Sequence, residues 1–204
     1  RMGGSRPKQF LELDGKLILI RTLEVFESSS VVDVIVVTAS SEEIGNVKKL
    51  VRENRLSKVV SVTGGGEQRQ DSVWNGLKEL RGHSIDVVLV HDAVRPFVTD
   101  DLIVCVTKSA LQHRAAIPAV RSKDTIKSAT ANGFIDQTLD REKLYLIQTP
   151  QGFMIDVLVG AFEKANAEGF YGTDEASLVE RCGIPVKIVE GSYENMKITT
   201  PEDV

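Results

Sequence analysis

The chain has 204 residues, of which 42% are hydrophobic and 26% are charged, and its formal net charge is −4. These fractions are typical of a globular domain with its own core, so they exclude a disordered or fibrous chain. The acidic balance argues against a general nucleic-acid binder, which needs an excess of positive charge. The apolar stretches Val34–Val37 and Val87–Val90 are too short to cross a bilayer. We therefore expect no nucleic-acid partner and no membrane partner.

The two cysteines, Cys105 and Cys182, lie far apart and show no CxxC spacing. This excludes a disulfide scaffold and a zinc-thiolate site, and it suits a reducing compartment such as the cytosol. The sequence opens with Arg1-Met2 and closes with Thr200 and Pro201 in the pattern of a helix start. We expect both termini to be cut, and a targeting peptide would then lie outside this sequence.

The first part of the chain predicts two helices around one strand. Residues 16–27 carry apolar side chains at a helical period. The β-branched run Val31–Thr38 predicts a strand that is covered on both faces. Ser40 and Glu43 then have the spacing of a capping box, which predicts a helix that continues to about Arg52.

The next part predicts two strands that each end in a turn of unusual composition. A short strand at Val59–Val62 runs into the glycines at 64–66, and a helix follows over about residues 69–80. The apolar strand at Asp86–Val90 ends in the segment His91–Pro96. Both turns follow strand ends, where ligands bind in open α/β sheets.

The rest of the chain continues the alternation with one interruption. Predicted helices cover about residues 99–112, 154–167 and 174–181, and predicted strands cover 115–119, 186–189 and 196–199. Thr99 is the predicted cap of the first of these helices, and Gly183 is predicted to end the last. The interruption is a hairpin, with strands at 124–127 and 134–138 around Asn132-Gly133. Alternating strands and helices predict a single α/β domain with a mostly parallel sheet, from which the hairpin protrudes as an arm.

The chemistry of these residues leaves alternatives open when each is taken alone. Asp92 could hold Mg²⁺ together with substrate phosphates, or it could be a turn or cap residue. Arg95 could bind a phosphate or make a surface ion pair. Arg1, Arg6 and Lys8 form a basic opening that fits phosphate binding and a solvated face equally well. No Ser/His/Asp or Cys/His arrangement supports a covalent nucleophile.

Eight motifs in fixed order resolve these alternatives, because together they resemble one family over essentially the whole chain. The motifs are Arg6-Pro7-Lys8-Gln9-Phe10 after Arg1-Met2, Gly65 to Val73, His91 to Pro96, Asp124 to Lys127, Leu139-Asp140-Arg141, Gln148 to Gln151, Thr173 to Ser177, and Asn195 to Thr199. The sequence resembles the 2-C-methyl-D-erythritol 4-phosphate cytidylyltransferases of the non-mevalonate isoprenoid pathway.

The resemblance implies a Rossmann-like, three-layer nucleotidyltransferase domain over residues 1–204, with an arm at about 122–140. It implies transfer of CMP from CTP to methylerythritol phosphate, with Mg²⁺ as the divalent cation and pyrophosphate as the leaving group. The substrate phosphate attacks the α-phosphorus of CTP, so the protein supplies position and positive charge.

The resemblance also implies residue roles, carried over motif by motif. Arg1, Lys8 and Lys197 match cations that stabilise the transition state. The CTP-binding positions are Gly65, Gly66, Glu67, Ser72, Asp92 and Ala93, with Asp92 beside the metal. Glu67 stands where some relatives have aspartate. The positions around the methylerythritol phosphate are Arg95, Thr125, Arg141, Thr149 and Thr173.

The resemblance further implies a homodimer in which the arms swap between subunits. It implies that the family's first strand, its glycine-rich phosphate loop and its C-terminal helix are missing from this sequence. The alternatives are a ribitol 5-phosphate cytidylyltransferase and a non-catalytic nucleotide-binding homologue. The expected location is the cytoplasm of a bacterium, or a plastid if a transit peptide was removed.

Overall fold

The computed structural model describes residues 7–199 and Asp203, and it has the expected α/β architecture. The predictions for Arg1, Arg6, Thr200 and Pro201 concern positions outside the described residues. The helices are α1 (Ile18–Ser28), α2 (Ile44–Glu53), α3 (Arg69–Glu79), α4 (Asp100–His113), α5 (Ile155–Glu168) and α6 (Glu175–Arg181), with short 3₁₀ helices at Lys8–Phe10 and Arg141–Lys143. The strands are β1 (Glu12–Leu13), β2 (Lys16–Leu17), β3 (Ile35–Ala39), β4 (Val59–Gly64), β5 (Val87–Val90), β6 (Ala115–Arg121), β7 (Lys127–Ala129), β8 (Ile135–Thr138), β9 (Tyr145–Ile147), β10 (Gln151–Met154) and β11 (Lys187–Glu190).

The main sheet has five strands in the order β11-β6-β10-β5, with β9 paired to β6. Strands β3 and β4 form a separate parallel pair. Strand β10 runs antiparallel to both β5 and β6, so β5 and β6 point in the same direction. The carboxyl ends of β5 and of the parallel strands β6 and β11 are therefore oriented the same way.

The expectation of a mostly parallel sheet is corrected, because the sheet of the described residues is mixed. The difference comes from β9 and β10, which the sequence did not predict and which both pair antiparallel to β6. Strand β10 is short, contains a glycine and runs directly into α5. Its buried position is set by its neighbours on both sides and leaves no alternating pattern in the sequence.

Helices cover both faces of the main sheet, which gives three layers. Side chains alternate along each strand, so Ala116 of β6 packs in the cluster formed with α4, whereas Ala115 and Ile117 pack in the cluster formed with α5 and α6. Phe153 and Phe162 are fully buried in the second of these clusters. Burial of a large apolar side chain stabilises the fold by roughly 1.5–3 kcal/mol.

A third apolar cluster joins α1 and α2 to the β3–β4 pair, through side chains such as Leu23, Val37 and Val47. Between this pair and β5 lies a cavity of about 750 Å³. Its walls are mainly apolar, but Arg69, His91 and Asp92 also border it. No helix in the described part of the chain is long and apolar enough to span a membrane.

Several local predictions are confirmed. The Thr99 hydroxyl accepts a hydrogen bond from the Leu102 amide at 3.3 Å and caps α4. Gly183 adopts a positive φ of 74° after α6, and Gly133 adopts 84° at the tip of the arm. Both are conformations in which a residue without Cβ is favoured.

Other predictions of element boundaries are wrong. Residues 40–43 form a turn, and α2 begins after Glu43 without a side-chain cap, so the capping box of Ser40 and Glu43 does not form. The first arm strand is Lys127–Ala129, later than the predicted 124–127. Residues 196–199 form no strand; the Ile198 amide donates to the Val94 carbonyl across a loop. The segment therefore follows the turn after β5 and does not extend a sheet edge.

Candidate functional site

Three cationic side chains converge on one carboxylate two residues beyond the end of β5. Lys197 Nζ lies 3.0 Å from Asp92 Oδ2, and Arg95 Nε lies 3.4 Å from the same oxygen. Arg69 Nε approaches the other oxygen, Oδ1, at 3.7 Å. We call these four residues the Asp92 cluster. Its members come from a loop after β11, the turn after β5 and the first residue of α3, so only the folded chain brings them together.

The electrostatics of the Asp92 cluster keep its carboxylate ionised. Burial by itself would raise the pKa of Asp92, but Lys197, Arg69 and Arg95 outweigh that effect, and the pKa lies below its usual value. A carboxylate that stays charged at neutral pH beside three cations can orient anions or share a metal ion with them.

His91 holds the turn that carries Asp92. The Thr149 hydroxyl lies 2.9 Å from His91 Nδ1, and His91 Nε2 lies 3.2 Å from the Arg95 carbonyl oxygen. These contacts fit a neutral imidazole that accepts at Nδ1 and donates at Nε2. The Asp92 amide donates to the Thr149 hydroxyl at 3.1 Å. Burial lowers the pKa of His91 to about 4, so the ring is neutral at physiological pH.

A buried polar network fixes the segment that carries Lys197. The Asn195 carbonyl accepts a hydrogen bond from Arg95 Nη1 at 2.8 Å, and its side-chain amide donates to the Thr149 carbonyl at 2.9 Å. Gln148 donates to the Ser192 carbonyl at 2.7 Å. Because the network ties this segment to the turn after β5 and to the residues before β10, Lys197 is held against Asp92.

Lys8, in the short 3₁₀ helix Lys8–Phe10, contacts the segment that carries Lys197. Its ammonium group donates a hydrogen bond to the Thr199 carbonyl, two residues beyond Lys197. Lys8 is thereby held against the segment that carries Lys197, although the two lysines are 189 positions apart in the chain. Lys197 is 42% exposed, so its charge faces an accessible space.

The glycine turn after β4 is closed by Ser72. The Gly66 amide donates to the Ser72 hydroxyl at 3.0 Å, and the Gly65 amide donates to the Ala39 carbonyl at 2.7 Å. A Cβ at Gly66 would lie 2.2 Å from the Cβ of Asp71, so a larger residue would force the backbone apart. Glycine at position 66 is thus required by the tight turn itself, which leads into α3 and Arg69.

Arg69 and Glu175 are site residues for which the sequence analysis predicted no role. Arg69 Nη1 and Nη2 lie 2.6 and 2.8 Å from the two carboxylate oxygens of Glu175, a bidentate ion pair. Glu175 is buried, whereas the Arg69 side chain is 40% exposed. The sequence did offer a signal for both residues. Arg69 lies in the motif Gly65 to Val73, and Glu175 lies in the motif Thr173 to Ser177.

The remaining predicted positions do not join the Asp92 cluster. Thr125 and Arg141 lie on or beside the exposed arm, and Arg141 Nε lies 4.0 Å from Glu142. Thr173 is exposed just before α6, and Glu67 is exposed in the glycine turn. Ala93 is exposed, and its carbonyl accepts a hydrogen bond from Thr22.

The donor set fits one kind of metal site. The described residues contain no group of three or more acidic, histidine or cysteine side chains that could hold an ion. Asp92 supplies one hard oxygen donor, Oδ1, which makes no hydrogen bond of normal length within the described residues. Mg²⁺ is commonly held by one or two carboxylates together with phosphate oxygens, so Asp92 fits that ion when a phosphorylated ligand is present.

Comparison of the sequence with known proteins gives one family. The model of the 2-C-methyl-D-erythritol 4-phosphate cytidylyltransferase (IspD) family matches residues 1–204. The protein of that name from Geobacillus kaustophilus is 48% identical over 205 residues, covering all of this chain and 88% of the relative. The protein of that name from Geobacter metallireducens is 50% identical over 207 residues, with coverages of 100% and 89%.

Comparison of the structure gives the same family. The crystal structure of 4-diphosphocytidyl-2C-methyl-D-erythritol synthase from Anaerococcus prevotii matches with a TM-score of 0.87 and 31% identity, covering 99% of this chain and 88% of that one. The 2-C-methyl-D-erythritol 4-phosphate cytidylyltransferase from Francisella tularensis matches with a TM-score of 0.82 and 35% identity, with coverages of 98% and 91%. These likenesses confirm the expected Rossmann-like nucleotidyltransferase fold.

Proposed function

Because the chain belongs to the 2-C-methyl-D-erythritol 4-phosphate cytidylyltransferase family, it is a nucleotidyltransferase of isoprenoid biosynthesis, and we propose that the Asp92 cluster is where it works. It transfers CMP from CTP to 2-C-methyl-D-erythritol 4-phosphate and releases pyrophosphate. The observation that carries the assignment to this site is the convergence of Lys197, Arg95 and Arg69 on Asp92 beyond the end of β5.

The lysines stabilise the charge that develops during transfer. The substrate's phosphate oxygen attacks the α-phosphorus of CTP in line, and the bond to the pyrophosphate breaks, so no covalent nucleophile on the protein is required. Negative charge then builds on the phosphate oxygens around the reacting centre. Lys197, and Lys8, which contacts the segment that carries Lys197, supply fixed positive charge to these oxygens. Arg1 is the third cation of this set, and it lies outside the described residues.

Asp92 holds the divalent cation together with the phosphates of CTP. Asp92 would hold Mg²⁺ through Oδ1, and the ion would supply charge neutralisation of the triphosphate. Lys197 and Arg95 keep Oδ2 in a fixed orientation, so that Oδ1 is the oxygen left for the ion. The glycine turn of Gly65 and Gly66, closed by Ser72, provides the backbone that approaches the cytidine. Glu67, in the same turn, and Ala93, after β5, are assigned to the same nucleotide.

The methylerythritol phosphate is held by residues of two chains. Arg95 and Thr149 belong to the network under the Asp92 cluster, and Thr173 is exposed beside α6. Arg141 and Thr125 are solvent-exposed in one chain and make no contact with its cluster in the described residues. An arm swapped in a homodimer would bring them to the partner's site, and an arginine grips a phosphate bidentately.

The arm has the composition of a surface that another chain covers. Phe134 is 73% exposed and Ile135 is 65% exposed, and the neighbouring strand β9 exposes Leu146. A two-stranded hairpin is marginally stable in water by itself.

The bacterial relatives support a cytoplasmic location for the dimer.

Asp92→Asn tests the proposed cation site. In the full-length protein we expect saturating Mg²⁺ to tighten CTP binding, measured by calorimetry, and we expect the Asn variant to lose most of this enhancement because an amide oxygen carries no charge. Asp156→Asn is the matched control, since Asp156 is exposed and pairs with Arg114 away from the site. Equal enhancement in Asp92→Asn and the parent would remove Asp92 from the metal site.

A further inference from the structure

Glu175 is a buried acid with one strong partner. Its side chain is 1% exposed, and both of its carboxylate oxygens bind the guanidinium of Arg69. Burial raises the pKa of Glu175, and Arg69 opposes that effect. A charged pair at such distances in a protein interior is oriented as well as strong, because two parallel N–H···O bonds join the guanidinium to the carboxylate.

The position of Glu175 is fixed by its neighbours in sequence. Gln151 of β10 donates to the Asp174 carboxylate at 2.8 Å, and the Ala176 amide donates to the side-chain oxygen of Gln151 at 3.2 Å. Gln151 is itself 1% exposed. The main sheet therefore holds the start of α6 on both sides of Glu175, and the carboxylate cannot follow Arg69 if the arginine moves.

Arg69 stands between two carboxylates. Two of its nitrogens bind Glu175, while its third, Nε, stays 3.7 Å from Asp92 Oδ1, beyond hydrogen-bond length. Oδ2 of Asp92 already faces Lys197 and Arg95. Oδ1 is thus the oxygen left for a divalent cation, and Arg69 is the cation that forms its ion pair with this oxygen.

The positive charge of Arg69 would oppose a divalent cation at Asp92 Oδ1 if the guanidinium moved onto that oxygen. A guanidinium released from Glu175 would be drawn to the nearest remaining anion, which is Asp92, and would close the gap to Oδ1. There it would take up the oxygen and repel a divalent cation directly, an effect that is large at such distances in a partly desolvated site. Held bidentately by Glu175, the same guanidinium is largely neutralised and its direction is fixed.

We propose that Glu175 is a positioning residue that holds Arg69 off Asp92 and so keeps Oδ1 available to the divalent cation. The inference rests on the proposed function, in which Asp92 binds that cation together with CTP. It assigns to a buried residue, remote from the reacting atoms, control over the Mg²⁺ affinity of the site.

Charge-deleting variants of the full-length protein test the proposal, with Mg²⁺ as the probe. The quantity compared is the factor by which saturating Mg²⁺ tightens CTP binding in calorimetry. Glu175→Gln should reduce this factor about tenfold, since its freed arginine competes with the ion. Arg69→Gln should leave the factor at or above that of the parent, and the double variant Arg69→Gln/Glu175→Gln should restore it. Glu168→Gln is the matched control, because it releases Arg181 from a 2.6 Å ion pair away from the site.

Kinetics separate positioning from a loss of structure. At saturating Mg²⁺ the kcat of Glu175→Gln should return close to that of the parent, while the Mg²⁺ concentration for half-maximal rate rises about tenfold. If Glu175→Gln does not fold, Arg69→Gln and the double variant still decide, because the proposal requires that neither weakens the Mg²⁺ effect. A loss of that effect in Arg69→Gln would overturn the inference, and so would an unchanged factor in Glu175→Gln. If Asp92→Asn keeps the full Mg²⁺ effect, both the proposed metal site and this inference are wrong. If Asp92→Asn loses the effect as expected but Glu175→Gln keeps it, only this inference is wrong.

Discussion

The Asp92 cluster and the arm at residues 122–140 are built in opposite ways. Each charged side chain of the cluster has a partner from another part of the chain, and buried groups such as Thr149 and Asn195 support it. The arm contacts mainly itself: Ser128 donates to Asp136 and Lys127 donates to Thr138, across its own two strands. All four residues of β8 are exposed.

This difference teaches which part of the site one chain can organise by itself. The cluster is preorganised, since charges that the fold already holds in place need no rearrangement when the reaction begins. The arm has regular structure but no apolar cover, so its place in the working enzyme depends on a second surface. The predictions below test the two halves of this contrast.

Mixing two inactive variants tests the arm and gives the largest expected change. Asp92→Ala and Arg141→Ala are each expected to be nearly inactive. If Arg141 serves the partner's site, half of the randomly mixed dimers are heterodimers with one intact site, and activity returns to about a quarter of the parent level by two-fold symmetry. The measurement is turnover after joint unfolding and refolding.

A second mixture is the control for that experiment. Asp92→Ala with Lys197→Ala should recover no activity, because both residues belong to one chain's cluster and every site of the heterodimer is damaged. Failure of the first mixture to recover, with heterodimers present, would place Arg141 in its own chain's site or outside any site.

Removing a lysine tests the preorganised Asp92 cluster and the Lys8 side chain beside it. Lys197→Ala and Lys8→Ala should each lower kcat by roughly 10²–10³, with a much smaller effect on CTP affinity, because the charge they oppose grows in the transition state. Lys49→Ala is the control, since Lys49 pairs with Glu53 on exposed α2. A raised KM for CTP with unchanged kcat would assign the lysine to ground-state binding.

The smallest expected effect concerns the free energy of unfolding and its dependence on the protonation of His91, which supports the turn that carries Asp92. The pKa of His91 is about 4 in the folded chain against 6.5 for an ordinary histidine, so the unfolded chain binds the proton more readily between these values. The stability due to neutral His91 is therefore present above pH 6.5, is lost as the pH falls toward 4, and changes no further below that. Between pH 7 and 5 the loss is about 2 kcal/mol.

His91→Asn should remove this part of the pH dependence when unfolding by denaturant is followed from pH 7 to pH 5. The control His113→Asn deletes a histidine that is exposed at the end of α4. An equal slope in the parent and in His91→Asn would mean that the ring is not held neutral by the fold.

The sequence predicted much of the local structure correctly because local chemistry determines it. The Thr99 cap and the glycine after α6 each act within a few residues, and each is found. The β-branched run predicts a strand at Val31–Thr38 covered on both faces, but only its second half joins β3 (Ile35–Ala39), where Thr38 is exposed. The predictions that failed depend on distant partners. Strand β10 forms because it pairs with β5 on one side and β6 on the other. Residues 196–199 join no sheet, because the Ile198 amide binds the Val94 carbonyl in the turn after β5.

The same division holds for the candidate site. The order of the motifs identified the family, and with it the chemistry, because each motif is a short run of consecutive residues, such as Asp92 to Arg95, that can be read from the sequence. Only the tertiary structure decided that Lys8 meets the Lys197 segment, that three cations surround one carboxylate, and that Glu175 holds Arg69. The physical reason is that charge interactions depend on distance and burial in space, and neither quantity is written in the spacing of residues along a chain.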